Sequence, residues 1–323
     1  MSKGYTHFTL QDRAKLEALH KCGIKQVQIA KELGKSPAAV SRELNRNADR
    51  KGYQAEQAHK KSTERKRKNE KKIKGGLQTI VEEKLKIQWS PDQISGWLKE
   101  NNLYEISHAT IYKHVWGNQA KGGALYLNLR HQGKKYNKRS NRNAGRGLIP
   151  NRTDISLRPA IVDTKERFGD WEIDLIIGKN HHMSFLTLVE RKTKFVIMMH
   201  LNGKTAKEVH RAIVKALKPY KHWVYTITSD NGKEFAQHEK VARILMAKCY
   251  FARPYHSWER GLNEHTNGLI RQYFPKGTDF ATITRKEVRA VEAALNHRPR
   301  KILGYKTPHF VFTQEVSKIA LHP

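Results

Sequence analysis

Residues 168–178 read FGDWEIDLIIG, and this stretch decides how the second half of the chain is expected to fold. Apolar and acidic side chains alternate along it, and a period of two predicts a β-strand with one apolar face and one acidic face. The apolar face holds Trp171, Ile173, Leu175 and Ile177, and the acidic face holds Asp170, Glu172 and Asp174. We expect Asp170 to lie at an edge and Asp174 to lie deepest in the apolar run.

The segments after this strand extend it into a sheet. MSFLTLVER (183–191) and KFVIMMHL (194–201) follow at turn-length gaps and predict an antiparallel meander. An amphipathic helix at 205–218, a strand at 223–230, a helix at 233–245 and a strand at 247–255 come next. Three antiparallel strands followed by alternating helices and strands is the order of an α/β ribonuclease H-like core.

Three carboxylates are expected to meet in this core. Asp174 lies in the first strand, and Asp230 lies where the fourth strand opens into a turn. Residues 256–277 read HSWERGLNEHTNGLIRQYFPKG and predict a helix over about 258–272 that carries Glu264. If the first and fourth strands are neighbours, the three charges converge and require a cation. Mg²⁺ or Mn²⁺, with two ions per active site, would suit these oxygen ligands and a displacement at phosphorus.

Other assignments of the acidic residues stay open at this stage. Glu172 shares a face with Asp174, so it is either the ligand in its place or an exposed strand acid. Glu234 is a rival of Glu264, although it follows Asp230 directly in the turn. An Asp-Asn-Gly sequence is also ordinary turn chemistry, so Asp230 alone is a weak signal.

The composition indicates a nucleic-acid partner. The chain has 323 residues, with 62 Lys and Arg against 30 Asp and Glu, and a formal net charge of +32. Such an excess favours a polyanion, and the absence of a run of about 18 apolar residues argues against a membrane. Cys22 and Cys249 are too few for a disulfide framework or a zinc knuckle. No apolar signal segment opens the sequence, so we expect a cytoplasmic protein.

The first helical segment predicts a DNA-binding helix-turn-helix. Residues 6–46 contain three short helical patterns, and Ser36-Pro37 is typical of the start of the third. Val40 and Leu44 would point inward, and the outward side would face a major groove. The side chains expected to contact DNA are Ser36, Ser41, Arg42, Asn45 and Arg46.

A second helical unit follows with a weaker signal. Residues 77–116 contain three more helical patterns, and Ser90-Pro91 repeats the start seen before. Thr110 and Lys113 on its last helix are the expected DNA contacts, with packing as the alternative role.

These patterns divide the chain into five segments. We expect helix-turn-helix units at 1–50 and 76–118, basic linkers at 51–75 and 119–160, and the catalytic domain at 161–323. A helix at 284–297 would end that domain, and the following residues would wrap it with Arg298 and Arg300 near DNA.

Further DNA contacts are expected around the helix of Glu264. Asn267 and Arg271 fall on the same side of the helix as Glu264, and Arg260 and Lys276 lie at its ends. Arg271 and Lys276 would clamp phosphate, with ordinary surface cations as the alternative.

The order of these motifs resembles that of the bacterial insertion-sequence transposases of the IS30 family. The resemblance rests on the helix-turn-helix, the basic linker, FGDWEIDLIIG, TSDNGKEF, WERGLNEHTNGLIRQYFPKGTDF and LNHRPRKILGYKTP. It covers nearly the whole chain and implies a DDE transposase with a retroviral-integrase-like core. The family's acidic triad corresponds to Asp174, Asp230 and Glu264.

The resemblance also implies partners and a reaction. The protein would bind the terminal inverted repeats of its element and a double-stranded target, and would catalyse strand cleavage and strand transfer in the bacterial nucleoid. Pairing two ends calls for at least two protomers, so we expect a homodimer on DNA. Two competing hypotheses are a DNA-binding repressor with a non-catalytic ribonuclease H-like module and a plain nuclease or resolvase.

Overall fold

The computed structural model describes residues 7–50, 52–68, 73–130, 149–179, 183–253, 259 and 261–321. The chain divides into two compact units, Met1–Lys72 and Ile73–Pro323. Within the described ranges we find no helix with the length and hydropathy of a membrane span. Arg260 and residues 131–148 of the predicted linker at 119–160 lie outside the described residues.

The first unit is a helical bundle that begins with the predicted helix-turn-helix. Its helices are α1 (Leu10–Lys21), α2 (Gln26–Glu32), α3 (Pro37–Asn47) and α4 (Ala55–Lys68). Ser36 caps α3 by accepting a hydrogen bond from the amide of Ala39, with Pro37 in the first turn. Val40 and Leu44 are buried in the small core, as their spacing predicted.

Helix α4 belongs to this bundle, although its sequence predicts an exposed linker helix. The side chain of Ala58 is fully buried in the same core. The amide of Ala55 donates to Glu17 Oε2 at 2.7 Å, and Arg65 donates to the side chain of Asn47. These contacts hold α4 against α1 and α3. The small side chains of Ala55 and Ala58 allow the helix backbones to approach closely.

The second unit begins with three more helices. They are α5 (Gly75–Lys86), α6 (Pro91–Glu100) and α7 (His108–Gln119). Ser90 and Gln93 form a reciprocal capping box at the start of α6, and Ser107 caps α7. Ile94 and Ile111 are among the apolar side chains buried between the helices. The helical starts therefore lie where the Ser and Pro signals predicted them.

A five-stranded sheet forms the centre of the second unit. The strands are β1 (Asp170–Ile177), β2 (Ser184–Glu190), β3 (Val196–Leu201), β4 (Thr226–Ser229) and β5 (Lys248–Phe251). They lie in the order β3-β2-β1-β4-β5, with β1 antiparallel to β2 and parallel to β4. The predicted ribonuclease H-like order is confirmed, and the first and fourth strands are neighbours.

Helices cover both faces of this sheet. The remaining helices are α8 (Ile161–Thr164), α9 (Ala206–Leu217), α10 (His238–Leu245), α11 (Gly261–Tyr273), α12 (Arg285–Asn296) and α13 (Pro308–Leu321). Trp171 and Ile173 of β1 share a core with residues of α9, α10 and α13. Ile176 shares a second core with residues of α11 and α12 on the opposite face.

Because both faces are covered, the acidic face of β1 is not a surface. The prediction that Asp170 lies at an edge is wrong, since its side chain is 1% exposed in the central strand. Arg167 donates to both of its oxygens, at 3.0 and 2.7 Å, and Thr226 Oγ1 donates at 2.6 Å. Glu172 is equally buried, which excludes an exposed strand acid there.

The prediction that a helix at 284–297 ends the domain is wrong, because a further helix follows α12. Helix α13 follows, and the ring of its Phe312 stacks on that of Phe195 at 4.1 Å between centroids. Arg298 and Arg300 precede it and are 2% and 8% exposed, so they are buried rather than displayed to solvent. Arg298 donates to the hydroxyl of Tyr273 at 2.7 Å.

Candidate active site

Asp174 and Asp230 line one cavity of about 640 Å³ at the ends of β1 and β4. The two strands are parallel, and Glu172 lies opposite Thr228 in their register. Continuing that register by two residues places Asp174 level with Asp230 on the same face, because side chains alternate with a period of two. The structure therefore brings together two of the three predicted carboxylates.

The carboxylate of Asp174 is held from two sides. Its Oδ1 accepts the amide of Leu175 at 3.0 Å, and its Oδ2 accepts Asn267 Nδ2 at 2.8 Å. Asn267 is itself fixed, because its Oδ1 accepts Thr187 Oγ1 at 3.1 Å. The side chain of Asn267 thus couples α11 to β1 and β2 and orients an acid of the cavity. Its predicted contact with DNA stays a prediction.

Asp230 is positioned by the turn that follows β4. Its Oδ1 accepts the amide of Gly232 at 2.8 Å. The next side chain, Asn231, is 5% exposed; it donates to the carbonyl of Ala252 and accepts from Arg152. The side-chain amide of Asn231 therefore connects the turn after β4 to the end of β5. Asp-Asn-Gly is therefore more than an isolated surface turn here.

Glu264 lies in the first turn of α11 and is exposed. The helix runs along β1 in the same direction. The amide of Asn263 donates to Glu172 Oε2 at 3.1 Å, and Arg271 donates to the carbonyl of Ile177 at 2.9 Å. Because Glu264 precedes Asn267 by three residues, it projects from the side of α11 that contacts Asp174.

The third carboxylate is not gathered with the other two. Among the described residues, no three His, Cys, Asp or Glu side chains lie close enough together to hold a metal ion. The described residues that line the acidic cavity include Glu234 and not Glu264. A methyl group on Gly232 would lie 2.4 Å from Glu234 Cδ, so this side chain folds back over the turn. The structure keeps Glu234 as the rival of Glu264.

The surroundings of the two aspartates fit a hard divalent cation. Carboxylate oxygens are the ligands that Mg²⁺ and Mn²⁺ prefer, and Asp174 and Asp230 present them to one cavity. Lys204 and Lys233 line the same cavity and would favour a phosphate group in it.

Glu172 is placed apart from this site. It forms a buried ion pair with Arg191, and its second oxygen accepts the amide of Asn263. Removing either partner would leave an uncompensated buried charge, so both side chains are needed for the stability of this region. The part of the chain that the structure describes gives Glu172 no place in the acidic cavity.

The DNA contacts predicted on the helical units lie at or near the surface. On α3, Ser36, Arg42, Asn45 and Arg46 are exposed and Ser41 is half-buried. On α7, Lys113 is exposed and Thr110 is half-buried. These positions are compatible with a groove-facing side, and the contacts themselves stay predictions.

Arg271 has a structural role in the molecule. Besides its bond to Ile177, its guanidinium donates to the carbonyl of Pro275 at 3.3 Å and lies 5.6 Å from the ring centroid of Phe280. Burial lowers the pKa of this guanidinium. Its phosphate role stays a prediction, as does that of exposed Lys276, and Arg260 lies outside the described residues.

Sequence reasoning missed the residues that support the acids. Thr187 and Asn231 make no recognisable motif, because their partners are about 80 and 21 positions away. Arg191 gives no signal either, because an Arg between Glu190 and Lys192 at a predicted hairpin turn is ordinary surface composition. The spacing of Asn267 from Glu264 places both on one side of the helix, which indicates a DNA contact rather than a bond to Asp174.

Two family models match the chain. An integrase core domain matches residues 165–257, and a helix-turn-helix domain matches residues 4–47. The first includes Asp174 and Asp230 and ends before Glu264.

Curated relatives match along almost the whole chain. The transposase for insertion sequence element IS4351 of Bacteroides fragilis is 45% identical over 316 residues, covering 97% of each protein. The transposase InsI for insertion sequence element IS30A of Escherichia coli is 36% identical over 330 residues, covering 98% of this chain and 85% of that protein. The catalytic core domain of BIV integrase aligns with 47% of this chain and 98% of its own, at 19% identity and a TM-score of 0.38.

Proposed function

The chain belongs to the IS30 family of insertion-sequence transposases, and from that premise we propose that Asp174, Asp230 and Glu264 form its DDE site. The protein is a DNA transposase, a polynucleotidyl transferase with an integrase core. The reaction is an in-line displacement at phosphorus, in which water or a 3′-hydroxyl attacks and a 3′-oxygen leaves.

The observation that carries this proposal is the shared cavity of Asp174 and Asp230 at the parallel pair β1 and β4. Asp174 and Asp230 would hold divalent ions, with Glu264 as the third carboxylate. Bound Mg²⁺ or Mn²⁺, with two ions per site, would supply Lewis-acid stabilisation of the entering and leaving oxygens. Asn267 keeps the carboxylate of Asp174 turned toward the cavity.

In the proposed site, Glu264 would join the two aspartates through a change of its side-chain rotamer. It lies on the side of α11 that contacts β1, and the backbone of that helix is fixed by Asn263 and Asn267. A rotation about the side-chain bonds of Glu264 moves its carboxylate without moving the helix. Divalent ions held by the two aspartates and by a DNA phosphate would favour that rotamer, because they attract the carboxylate of Glu264.

The helical units would bring DNA to this site. We assign recognition of the terminal inverted repeats to the exposed side of α3, with Arg42, Asn45 and Arg46 at base edges or phosphates. A homodimer would hold two element ends and a target duplex, and it would act on the bacterial nucleoid in the cytoplasm.

The test is cleavage and joining of a labelled duplex that carries the end sequence flanking the gene, with Mg²⁺ or Mn²⁺. Glu264→Gln should abolish both reactions while retaining DNA binding, and the matched variant Glu234→Gln should retain them. The reverse pattern would assign the third ligand to Glu234. Binding without chemistry in the parent protein would favour the repressor hypothesis, and cleavage without joining would favour a nuclease.

A further inference from the structure

A second cavity, of about 330 Å³, lies beside the first turn of α11. It is distinct from the acidic cavity, and the two share no described lining residue. Its charged lining consists mainly of cations: Lys165, Arg191, Lys194 and Arg300, against Glu172 and Glu259.

The two acids of this cavity are already engaged. Glu172 is paired with Arg191 and also accepts the amide of Asn263. Glu259 Oε2 accepts the amide of Arg253 at 2.8 Å. With Glu172 paired to Arg191, Glu259 is the one carboxylate of the described lining left to offset Lys165, Lys194 and Arg300. The lining of the cavity therefore carries an excess of positive charge.

Two of these cations are buried although neither forms an ion pair within 4.0 Å with a carboxylate of the described residues. Lys194 is 7% exposed and donates to the carbonyl of Arg191. Arg300 is 8% exposed and donates to the carbonyl of Leu295 at 3.1 Å, while its Nε has no hydrogen-bond partner in the described part of the chain. Burying a cation in this way is costly, so the arrangement is prepared for an anion.

The proton affinities of these groups agree with that reading. Burial first, and then the charges of Lys165 and Arg191, lower the pKa of Lys194 to about 8 against the opposing effect of Glu190 and Glu172. Burial likewise lowers the pKa of Arg300 to about 10, with Arg298 contributing. A bound anion would reverse both effects, because it stabilises the charged form of each side chain.

The first turn of α11 adds backbone donors. The helix has 13 residues, and its first two residues, Gly261 and Leu262, line the cavity. Amides at a helix start have no partner within the helix, and the helix dipole favours negative charge there. The amide of Asn263 donates to Glu172. The amides of Gly261 and Leu262 are therefore the helix-start donors that would bind a ligand in the cavity.

We propose that this cavity binds a phosphate group of the DNA strand whose reacting phosphate lies at the acidic cavity. The proposal rests on the proposed function for the identity of the substrate. Glu172 lines this cavity and Asp174 lines the acidic one, and two residues of one strand span about 7 Å. A single DNA strand can therefore reach both, and Lys165 is exposed at the lining of the second cavity.

The first test measures how DNA affinity depends on salt, in EDTA and without metal. Each phosphate contact contributes about 0.9 to the slope of log affinity against log salt on duplex DNA. Because one phosphate is involved, Lys165→Gln and Lys194→Met should each reduce the slope, and the double variant should lose about 0.9 in total. The matched control is Lys192→Gln, which removes the same charge from a lysine that pairs with Glu315 outside the cavity. Equal slopes in the Lys165 variant and the parent would overturn the proposal.

The second test identifies the phosphate. Duplex ends carry one neutral methylphosphonate at a time, and the parent should lose affinity at one position near the cleavage site. Lys165→Gln should show no additional loss at that position, while Lys192→Gln should show the full loss. If both variants show the full loss at every position, the cavity does not contact the DNA strand.

A third arm separates DNA from free phosphate. Inorganic phosphate at constant ionic strength should not change the thermal unfolding of the parent differently from that of Lys165→Gln. Selective stabilisation of the parent would identify a free-anion site and overturn the DNA assignment. Because every arm omits metal and measures binding or unfolding, failure of the proposed acidic triad would not alter these results.

Discussion

Replacing Asn267 with Leu tests whether this side chain orients a metal ligand or contacts DNA. The amide donates to Asp174 Oδ2 at 2.8 Å and accepts from Thr187 at 3.1 Å. A hydrogen bond to a charged group contributes about 1.5–3 kcal/mol, and about 1.4 kcal/mol corresponds to a factor of ten. If that energy holds Asp174 in its binding orientation, Asn267→Leu should raise the Mn²⁺ concentration for half-maximal cleavage roughly 10- to 100-fold.

The assay is end cleavage as a function of Mn²⁺, together with DNA affinity in EDTA. The metal requirement should rise while DNA affinity stays within about twofold, a margin below the tenfold that 1.4 kcal/mol represents. Asn101→Leu makes the same chemical change at the exposed C-terminal end of α6 and should alter neither quantity. An unchanged metal requirement combined with weaker DNA binding would refute the positioning role and support the DNA contact expected from sequence.

Three further perturbations test buried contacts of the second unit. Lys194→Met should stabilise the protein by about 3 kcal/mol near pH 7, because the folded pKa of about 8 lies below 10.5 and the buried charge opposes folding below pH 8. As pH rises from 8 to 10.5 the parent gains that stability and the difference disappears, which denaturant unfolding at several pH values would record. Gly96→Ala should destabilise by about 1–3 kcal/mol, since the new methyl would meet the ring of Tyr305 at 2.1 Å, whereas Gly76→Ala has room and should be neutral or stabilising. Glu172→Gln breaks a buried ion pair and should lower the unfolding free energy by about 3–5 kcal/mol while leaving Mn²⁺ affinity unchanged; a loss of Mn²⁺ binding in a folded variant would make Glu172 a ligand.

The order of elements was predictable because each signal is local. The alternation in residues 170–177 predicted β1, and the serine and proline at Ser36 and Ser90 predicted two helix starts. The pairing of β1 with β4 followed from the ribonuclease H-like order, and the sheet confirms it. Local periodicity and the order of elements were sufficient for the fold class.

The environment of the acids was not predictable, because it depends on long-range packing. An acidic face on a strand has the same sequence pattern whether water or another helix covers it, and α11 and α12 cover this one. Helix α13 was missed for a related reason. Its start at Pro308, capped by Thr307, has a local signal, but the basic stretch before it resembles a wrapping segment.

Sequence pattern and cavity lining favour different residues as the third carboxylate. Spacing and the family resemblance favour Glu264, whereas the cavity includes Glu234. The two differ in one physical respect. Glu264 lies on a helix fixed to β1 through Asn267, and Glu234 lies in a short 3₁₀ turn after Asp230.

The most direct measurement of the central claim is the number of Mn²⁺ ions bound by the protein with its end DNA, from the electron paramagnetic resonance signal of free Mn²⁺. The parent and Glu234→Gln should each bind two ions per protomer. Asp174→Asn should lose high-affinity binding, and Glu264→Gln should retain one ion. Two ions in Glu264→Gln together with a loss in Glu234→Gln would contradict the proposed triad and assign the third ligand to the turn after β4.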